Sequence, residues 1–163
     1  MPTGDSTRLN DPNFANGIGG HDLALGSGSF DGVIGTAISA RWKTVFFTAS
    51  TQYAIRSEGD FQHQYANDLS WAGGPGVYLA LKDKFTVGLQ ALISGEYKGK
   101  DTFADVTDDD SAETVVYVGP QVNFTWKSKL SGQIGADIPV SIYGSGVQVV
   151  TDYRIRAGLN WRF

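Results

Sequence analysis

The sequence predicts an all-β fold, an antiparallel transmembrane β-barrel, most simply of eight strands. Three observations predict it. Apolar and polar residues alternate in run after run, short and long connections alternate between the runs, and aromatic residues gather at the run ends. The last run carries the pattern most clearly. From Val149 the odd positions read Val, Thr, Tyr, Ile, Ala, Leu, Trp, Phe, while the even positions after Val150 read Asp152, Arg154, Arg156, Gly158, Asn160, Arg162. Successive strand side chains point to opposite faces, so one face is apolar with an aromatic end and the other is charged.

Composition bounds the reading. The chain has 163 residues, a net charge of −4, 21 glycines and no cysteine. That length suits one domain. Mild acidity argues against nucleic acid as a partner, because phosphate binding needs a concentrated basic face. Without cysteine there is no disulfide, thiol chemistry or cysteine-based zinc site. No run of eighteen apolar residues reads as a transmembrane helix, but barrel strands give only short alternating signals. Met1-Pro2-Thr3-Gly4-Asp5 has neither the basic start nor the apolar stretch of a signal peptide. An outer-membrane location therefore implies an export sequence already removed.

Residues 1–20, rich in Gly, Asn, Asp and Pro, read as a loop or extension, with the barrel expected over 21–163. The first strand, His21 to Ser27, sets Leu23 and Leu25 against Asp22 and Ala24, and the phase flip between Leu25 and Ile34 leaves open that it is instead the upper part of one long bulged strand running on to Arg41. The second, Asp31 to Trp42, puts Ile34, Ile38 and Trp42 on one face and Asp31, Ser39 and Arg41 on the other. A tight turn leads to Thr44 to Arg56, with Val45, Phe47, Tyr53 and Ile55 opposing Thr48, Ser50, Gln52 and Arg56. After a polar loop, 57–67, Asp68 to Lys82 sets Leu69, Trp71, Val77, Leu79 and Leu81 against Asp68, Ser70, Tyr78 and Lys82. Phe85 to Lys98 sets Val87, Leu89, Ile93 and Tyr97 against Gln90, Ser94, Glu96 and Lys98. An acidic loop, 101–110, precedes Thr114 to Lys127, where Val116, Val118, Val122, Phe124 and Trp126 oppose Tyr117, Gln121, Asn123 and Lys127. Leu130 to Tyr143 sets Ile134, Ile138, Val140 and Ile142 against Gln133, Asp137, Ser141 and Tyr143, and residues 149–163 form the last strand.

No charge falls on any of the apolar faces. A charge facing mid-membrane lipid costs ~2–4 kcal/mol, so a lipid-facing surface demands this strictness. Trp42, Phe85, Trp126, Trp161 and Phe163 sit beside the short turns or at the last strand's end. Trp71, Tyr97, Tyr53 and Tyr153 lie nearer the opposite ends. Two aromatic belts match the two membrane interfaces, and short turns match the periplasmic side, which would hold both termini. Pro75, Pro120 and Pro139 fall inside strands and cannot donate to a ladder, so bulges or gaps are expected there. The competing reading is a soluble ligand-binding barrel with its apolar face inward, which would crowd Tyr53, Trp71, Trp126 and Trp161 into a core.

Several segments carry a family resemblance: Gly26-Ser27-Gly28-Ser29-Phe30-Asp31, Tyr53-Ala54-Ile55-Arg56-Ser57-Glu58-Gly59, Gly95-Glu96-Tyr97-Lys98-Gly99-Lys100-Asp101, Gly119-Pro120-Gln121, Ile138-Pro139-Val140 and the Asp152 to Phe163 ending. Together they resemble the C-terminal part of the outer-membrane "transporter" family linked to meta-pathway phenol degradation. The resemblance covers most of the chain from Pro2. It implies passage of small, often aromatic or hydrophobic compounds, and further strands upstream in that family, so that this chain is expected to be a short form or a C-terminal fragment. The apolar, aromatic-ended final strand also resembles the insertion signal read by the barrel-assembly machinery, and outer-membrane lipid and lipopolysaccharide are the expected surroundings.

On the polar face the expected interior lining is Arg41, Arg56, Asp68, Lys82, Glu96, Lys98, Lys127, Asp137, Asp152, Arg154, Arg156 and Arg162. Such a set serves either as a selectivity lining for polar solutes or as an ion-paired filling, which an eight-stranded barrel is narrow enough to accept. The expected interface aromatics are Trp42, Trp71, Phe85, Tyr97, Trp126, Tyr153, Trp161 and Phe163. No catalytic residue, metal ligand or cofactor is expected. His21 and His63 are the only histidines, and His63, beside Gln62, Gln64 and Tyr65, has no local nucleophile pattern. A membrane-embedded lipid hydrolase and a non-conducting structural barrel are the rival functions. The Asp108-Asp109-Asp110 run lacks calcium-loop spacing, and no helix follows Gly26-Ser27-Gly28 to make a phosphate loop.

Overall fold

A computed structural model describes residues 27–144 and 151–163. Ten strands follow in chain order: β1 (Gly32–Trp42), β2 (Val45–Ile55), β3 (His63–Gln64), β4 (Asp68–Lys82), β5 (Phe85–Lys98), β6 (Thr102–Phe103), β7 (Val106–Thr107), β8 (Glu113–Trp126), β9 (Leu130–Gly144) and β10 (Arg154–Trp161). Seven of them form one antiparallel sheet in the order β1-β2-β4-β5-β8-β9-β10. Each main strand pairs with the next long strand in the chain, which alternating short and long connections dictate. No helix among the described residues is long and apolar enough to cross a membrane.

The two faces are separated row by row. Register places Trp42, Val45, Val77, Leu89, Val122, Ile134 and Ala157 side by side across all seven strands. One residue along, the opposite face reads Arg41, Phe46, Gly76, Gln90, Gln121, Gly135 and Arg156. The sheet is curled into a half-barrel with this second face concave. Arg154 on β10 reaches the Ser94 hydroxyl on β5 at 2.8 Å, across three ladders that a flat sheet would spread over about 14 Å. Burial is inverted relative to a water-soluble core. Gln90 and Asp137 are each 2% exposed, whereas Ile38 is 64% and Leu159 72% exposed. Phe46, Leu92 and Val115 interrupt the polar character of the concave face, and Phe46 packs on Tyr78 with ring centroids 4.7 Å apart.

The strand prolines are accommodated as their missing donors require. Around Gly74-Pro75 the β4–β5 ladder skips from Gly73↔Ile93 to Gly76↔Gln90, and around Gly119-Pro120 the β8–β9 ladder skips from Val118↔Ile138 to Gln121↔Gly135. In both places the glycine lets the neighbouring backbone approach. A Cβ would lie 2.0 Å from the Ala91 carbonyl oxygen at Gly74 and 1.9 Å from that of Ala136 at Gly119. Beside Pro139 the ladder carries a bulge, with Tyr117↔Pro139 followed by Val116↔Ser141.

The structure departs from the expectations at three points, and one expected element falls outside the described residues. The main sheet has seven described strands, and the expected strand at 21–27 lies outside the described residues except for Ser27, as do Val149 and Val150 of the last strand. The last strand begins at Arg154 and ends at Trp161. The loops at 57–67 and 101–110 are not wholly irregular, because β3, β6 and β7 form a separate three-stranded sheet from them. Their two-residue strands are too short for alternation to register. Finally, each bulge exchanges the faces beyond it, since strand side chains repeat with period two. Past the Val140 bulge, Ile142 pairs with buried Val115 and Tyr143 with Thr114, the reverse of the expected phase. Past the Tyr78/Ala80 shift, Lys82 pairs with Phe85 instead of joining the inward row.

Gly119→Ala is expected to force apart β8 and β9 at the proline gap and to lower unfolding stability in urea by about 1–3 kcal/mol, the usual cost of overpacking. Gly32→Ala, at a site where an added Cβ meets nothing within 4 Å, is the matched control and leaves the urea midpoint close to that of the parent.

Candidate functional site

The concave face holds a continuous polar network. It begins on β2, where the Thr48 hydroxyl accepts from the Gln90 amide at 2.6 Å, while the same amide donates to the Gly74 carbonyl at 2.9 Å. The Asn123 amide donates to Gln90 Oε1 at 3.2 Å, and the Gln121 amide donates to Asn123 Oδ1 at 2.8 Å. Gln121 Oε1 accepts from Arg156 Nη1 at 3.1 Å. Arg156 then clamps Asp137 in the forked two-bond geometry that suits a guanidinium and a carboxylate, with Nε to Oδ2 at 2.6 Å and Nη2 to Oδ1 at 2.8 Å. Arg154 donates to Asp137 Oδ2 from Nε at 3.2 Å and from Nη2 at 3.1 Å. Its guanidinium also lies over the Tyr117 ring, 4.1 Å from the centroid.

Strand register explains the arrangement. Arg154 stands directly opposite Asp137 in the β9–β10 ladder, and Arg156 stands two residues along on the same face. Asp137 is therefore flanked by both cations and almost wholly removed from solvent, while Arg154 and Arg156 side chains keep 35% and 26% exposure. The exposed guanidinium edges face a cavity of about 560 Å³ whose lining also includes Ala37, Ser50, Ser70 and Ala72. Lower on the same face a second cavity of about 510 Å³ is lined by Phe46, Thr48, Gln90, Asn123 and Arg156. One wall is thus fixed, charged and hydrogen-bonded, and the other is built of small side chains that leave space.

A second set of polar contacts gathers where the long loops join the sheet. Arg56 bridges Asp68 at 2.6 Å and Asp31 at 3.1 Å. Its hydrogen bond to Asp68 keeps the guanidinium charged above its ordinary range, against the opposing effect of burial. Lys98 pairs with Asp101 at 2.9 Å. Asp101, 2% exposed, also accepts from the Ala66 backbone N–H at 2.7 Å, tying the two long loops together. In the acidic run, a hydrogen bond from Lys100 at 2.5 Å pulls the Asp109 carboxyl below its usual range and raises the lysine in turn. His63 is not a loop residue. It lies in β3 with its ring 4.6 Å from that of Tyr65.

Of the expected lining, Asp137, Arg154 and Arg156 form one cluster, and Arg56, Asp68, Lys98 and Glu96 stand near the long-loop end of the concave face. Arg41 donates to the Lys43 carbonyl and lies 5.5 Å from the Tyr78 ring, at the short-turn end. Lys82, Lys127 and Arg162 are exposed at or beside short turns, and Asp152 is exposed in the connection before β10. Among the expected aromatics, Phe85 and Trp126 make an edge contact at 6.0 Å, and Trp71 lies across Gly95. Trp42, Tyr97, Tyr153, Trp161 and Phe163 are exposed. Selection by charge missed the uncharged members, Thr48, Gln90, Ser94, Gln121 and Asn123. The alternation that set them on the same face as Asp137 was the signal that could have found them. Comparison with protein-family models, with curated proteins and with solved structures finds no match for this chain.

Removing the carboxylate leaves two guanidiniums facing each other. Asp137→Ala is expected to cost roughly 2–4 kcal/mol in urea unfolding, somewhat below the range for a fully buried pair because both arginines keep partial solvent contact. Glu96→Gln, exposed on the same wall, is expected to stay within about 0.5 kcal/mol of the parent.

Proposed function

We propose that this chain forms the wall of an outer-membrane β-barrel through which small solutes pass. The observation that carries this reading is the inversion of burial, with glutamine, asparagine and ion pairs on the concave side and Ile, Leu, Val and Trp exposed on the convex side. In water such a surface would associate, because exposed apolar patches of this extent mark an apolar partner. Hydrocarbon is the partner that can cover a half-barrel evenly. Six of the seven main strands have 11 to 15 residues, at or above the roughly 9–11 that a tilted strand needs to span.

Closure follows from parity. With seven antiparallel strands, β1 and β10 run in the same direction, so joining them directly would make a parallel seam. One further strand of opposite direction restores an antiparallel ladder throughout, as single-chain barrels of this class require. Upstream of β1 the sequence of His21 to Gly26 carries Leu23 and Leu25 in alternation, the pattern such a further strand requires. The passage runs between the small side chains of Ser50, Ser70 and Ala72 and the fixed wall of Arg154, Arg156 and Tyr117. The aromatic ring under a guanidinium gives small aromatic compounds a surface to slide along. A non-conducting barrel is the second reading, supported by the network that crosses the interior from Thr48 to Ser94.

Refolding into detergent micelles is expected to give a β spectrum and a band whose gel mobility changes on heating. A chain that is folded and monomeric without detergent would overturn the barrel. In liposomes, swelling with small neutral solutes is expected, and Ser50→Trp with Ser70→Trp is expected to slow it several-fold. Swelling absent from an inserted, heat-modifiable protein selects the non-conducting reading. For closure, a cysteine placed by Leu23→Cys or Leu25→Cys should form a disulfide with Ile155→Cys, Ala157→Cys or Leu159→Cys, since laterally adjacent strand residues fall within bridging distance.

A further inference from the structure

The charges of the described residues are sorted along the strand axis. At the short-turn end stand Arg41 and Lys43, Lys82 and Lys84, Lys127 and Lys129, and Arg162, with Asp83 the one acidic residue among those turns. At the long-loop end Arg56, Lys98 and Lys100 face Asp31, Asp68, Glu96, Asp101 and the Asp108-Asp109-Asp110 run. The ion pairs divide the same way. Those formed by Arg56, Lys98, Lys100, Arg154 and Arg156 lie at the long-loop end or on the concave face, and among the described residues none involves a short-turn cation.

The β4–β5 turn, the β8–β9 turn and the end of β10 form one contiguous rim, and the β1–β2 turn is set back from it, since Val45 pairs with Val77. The Lys127 N–H donates to the Lys84 carbonyl at 2.7 Å, and the Arg162 N–H donates to the Lys129 carbonyl at 2.8 Å. Lys84, Lys127, Lys129 and Arg162 are therefore on backbone segments closer than a Debye length, and their like charges repel with little counter-charge. All seven cations are exposed. Beside them lie Trp42, Phe85, Trp126 and Trp161, and the Lys43 ammonium stands 5.3 Å from the Trp42 ring. Ammonium and guanidinium groups set next to exposed indoles match the depth at which lipid headgroups meet the acyl boundary.

We infer that the short-turn rim is a docking surface for anionic phospholipid headgroups, binding phosphatidylglycerol-type lipids in the leaflet that faces those turns. The lipid phosphates supply the counter-charge that the protein lacks there, and the aromatic side chains fix the rim at headgroup depth. The acidic long-loop end repels the same lipids, so the surface also biases the direction in which the half-barrel sits across a bilayer. This inference rests on the membrane reading proposed above.

The test uses the full chain in bilayers of phosphatidylcholine mixed with either brominated phosphatidylglycerol or brominated phosphatidylcholine. Two single-tryptophan variants report opposite ends, one keeping Trp126 and one keeping Trp71, with the other tryptophans changed to Phe. Trp126 is expected to be quenched several-fold more effectively by the anionic lipid, and the preference should fall with added salt. Lys84→Gln with Lys127→Gln should reduce it by about fivefold per charge removed, the factor that one cation near an anionic surface provides. Trp71 is expected to show no preference. Equal quenching of Trp126 by both lipids, a preference that salt and the Gln changes leave intact, or the same preference at Trp71 would each overturn the inference while leaving the barrel standing. Failure to insert into either bilayer would remove both. If the Gln variant does not fold, the salt dependence of the unsubstituted rim decides.

Discussion

The carboxylate of Asp137 is the point on which the concave face depends. It sits between two guanidiniums, is all but excluded from solvent, and draws β10 onto β9 through side chains as well as backbone. Because Arg154 continues past Asp137 to Ser94, the same cluster spans from the edge strand to the middle of the sheet. A charged group held in this way fixes the curl as well as the register. Its desolvation is offset by forked hydrogen bonds and by the partial solvent contact of both arginines. The uncharged part of the network, Gln90, Asn123 and Gln121, carries the linkage on to β2 without adding further charge.

The network also determines what kind of space is left. Its side chains are long and tied down, so they define a fixed wall, whereas Ala37, Ser50, Ser70 and Ala72 across from them fill almost nothing. In the proposed barrel, filling and lining are therefore not alternatives for the whole interior. The β5 to β10 side is filled, and the β1 to β4 side is open. The small sheet of β3, β6 and β7 belongs to the long-loop end, where Asp101 ties the two loops by accepting from Ala66 and Lys98.

Prolines in a central ladder are an apparent contradiction that the chain resolves locally. At Gly74-Pro75 and Gly119-Pro120 the proline's missing donor is matched by a skipped pair, and the preceding glycine lets the adjacent backbone come closer than any side chain allows. At Pro139 the solution is a bulge. Each bulge has a cost in pattern, because the residues beyond it change faces, as Ile142 and Tyr143 do. The same device near Tyr78 moves Lys82 out of the inward row and to the basic rim.

The sequence by itself determined the all-β antiparallel architecture, the order of the long strands and the identity of the two faces. Period-two alternation is a local property, and a strand has only two faces to choose between. It also placed Asp137, Arg154 and Arg156 on one face, and it located the prolines at which the ladder would be interrupted. It did not determine their partnership. Alternation says which side Arg154 occupies but not that Ser94, sixty positions away, stands within hydrogen-bond reach. Nor did it show that neutral Gln90 and Gln121 would be among the most buried polar groups, or that Asp101 in an acidic loop would be buried. Those outcomes depend on curl and on inter-strand register, which long-range pairing sets. The shift at Tyr78/Ala80, which no proline marks, lay beyond reach for the same reason, since an extra residue in one strand is visible only against its neighbour. Tertiary structure alone decided which charges meet and which remain on an unpaired rim, because electrostatic partnership depends on distance through space and not on spacing along the chain.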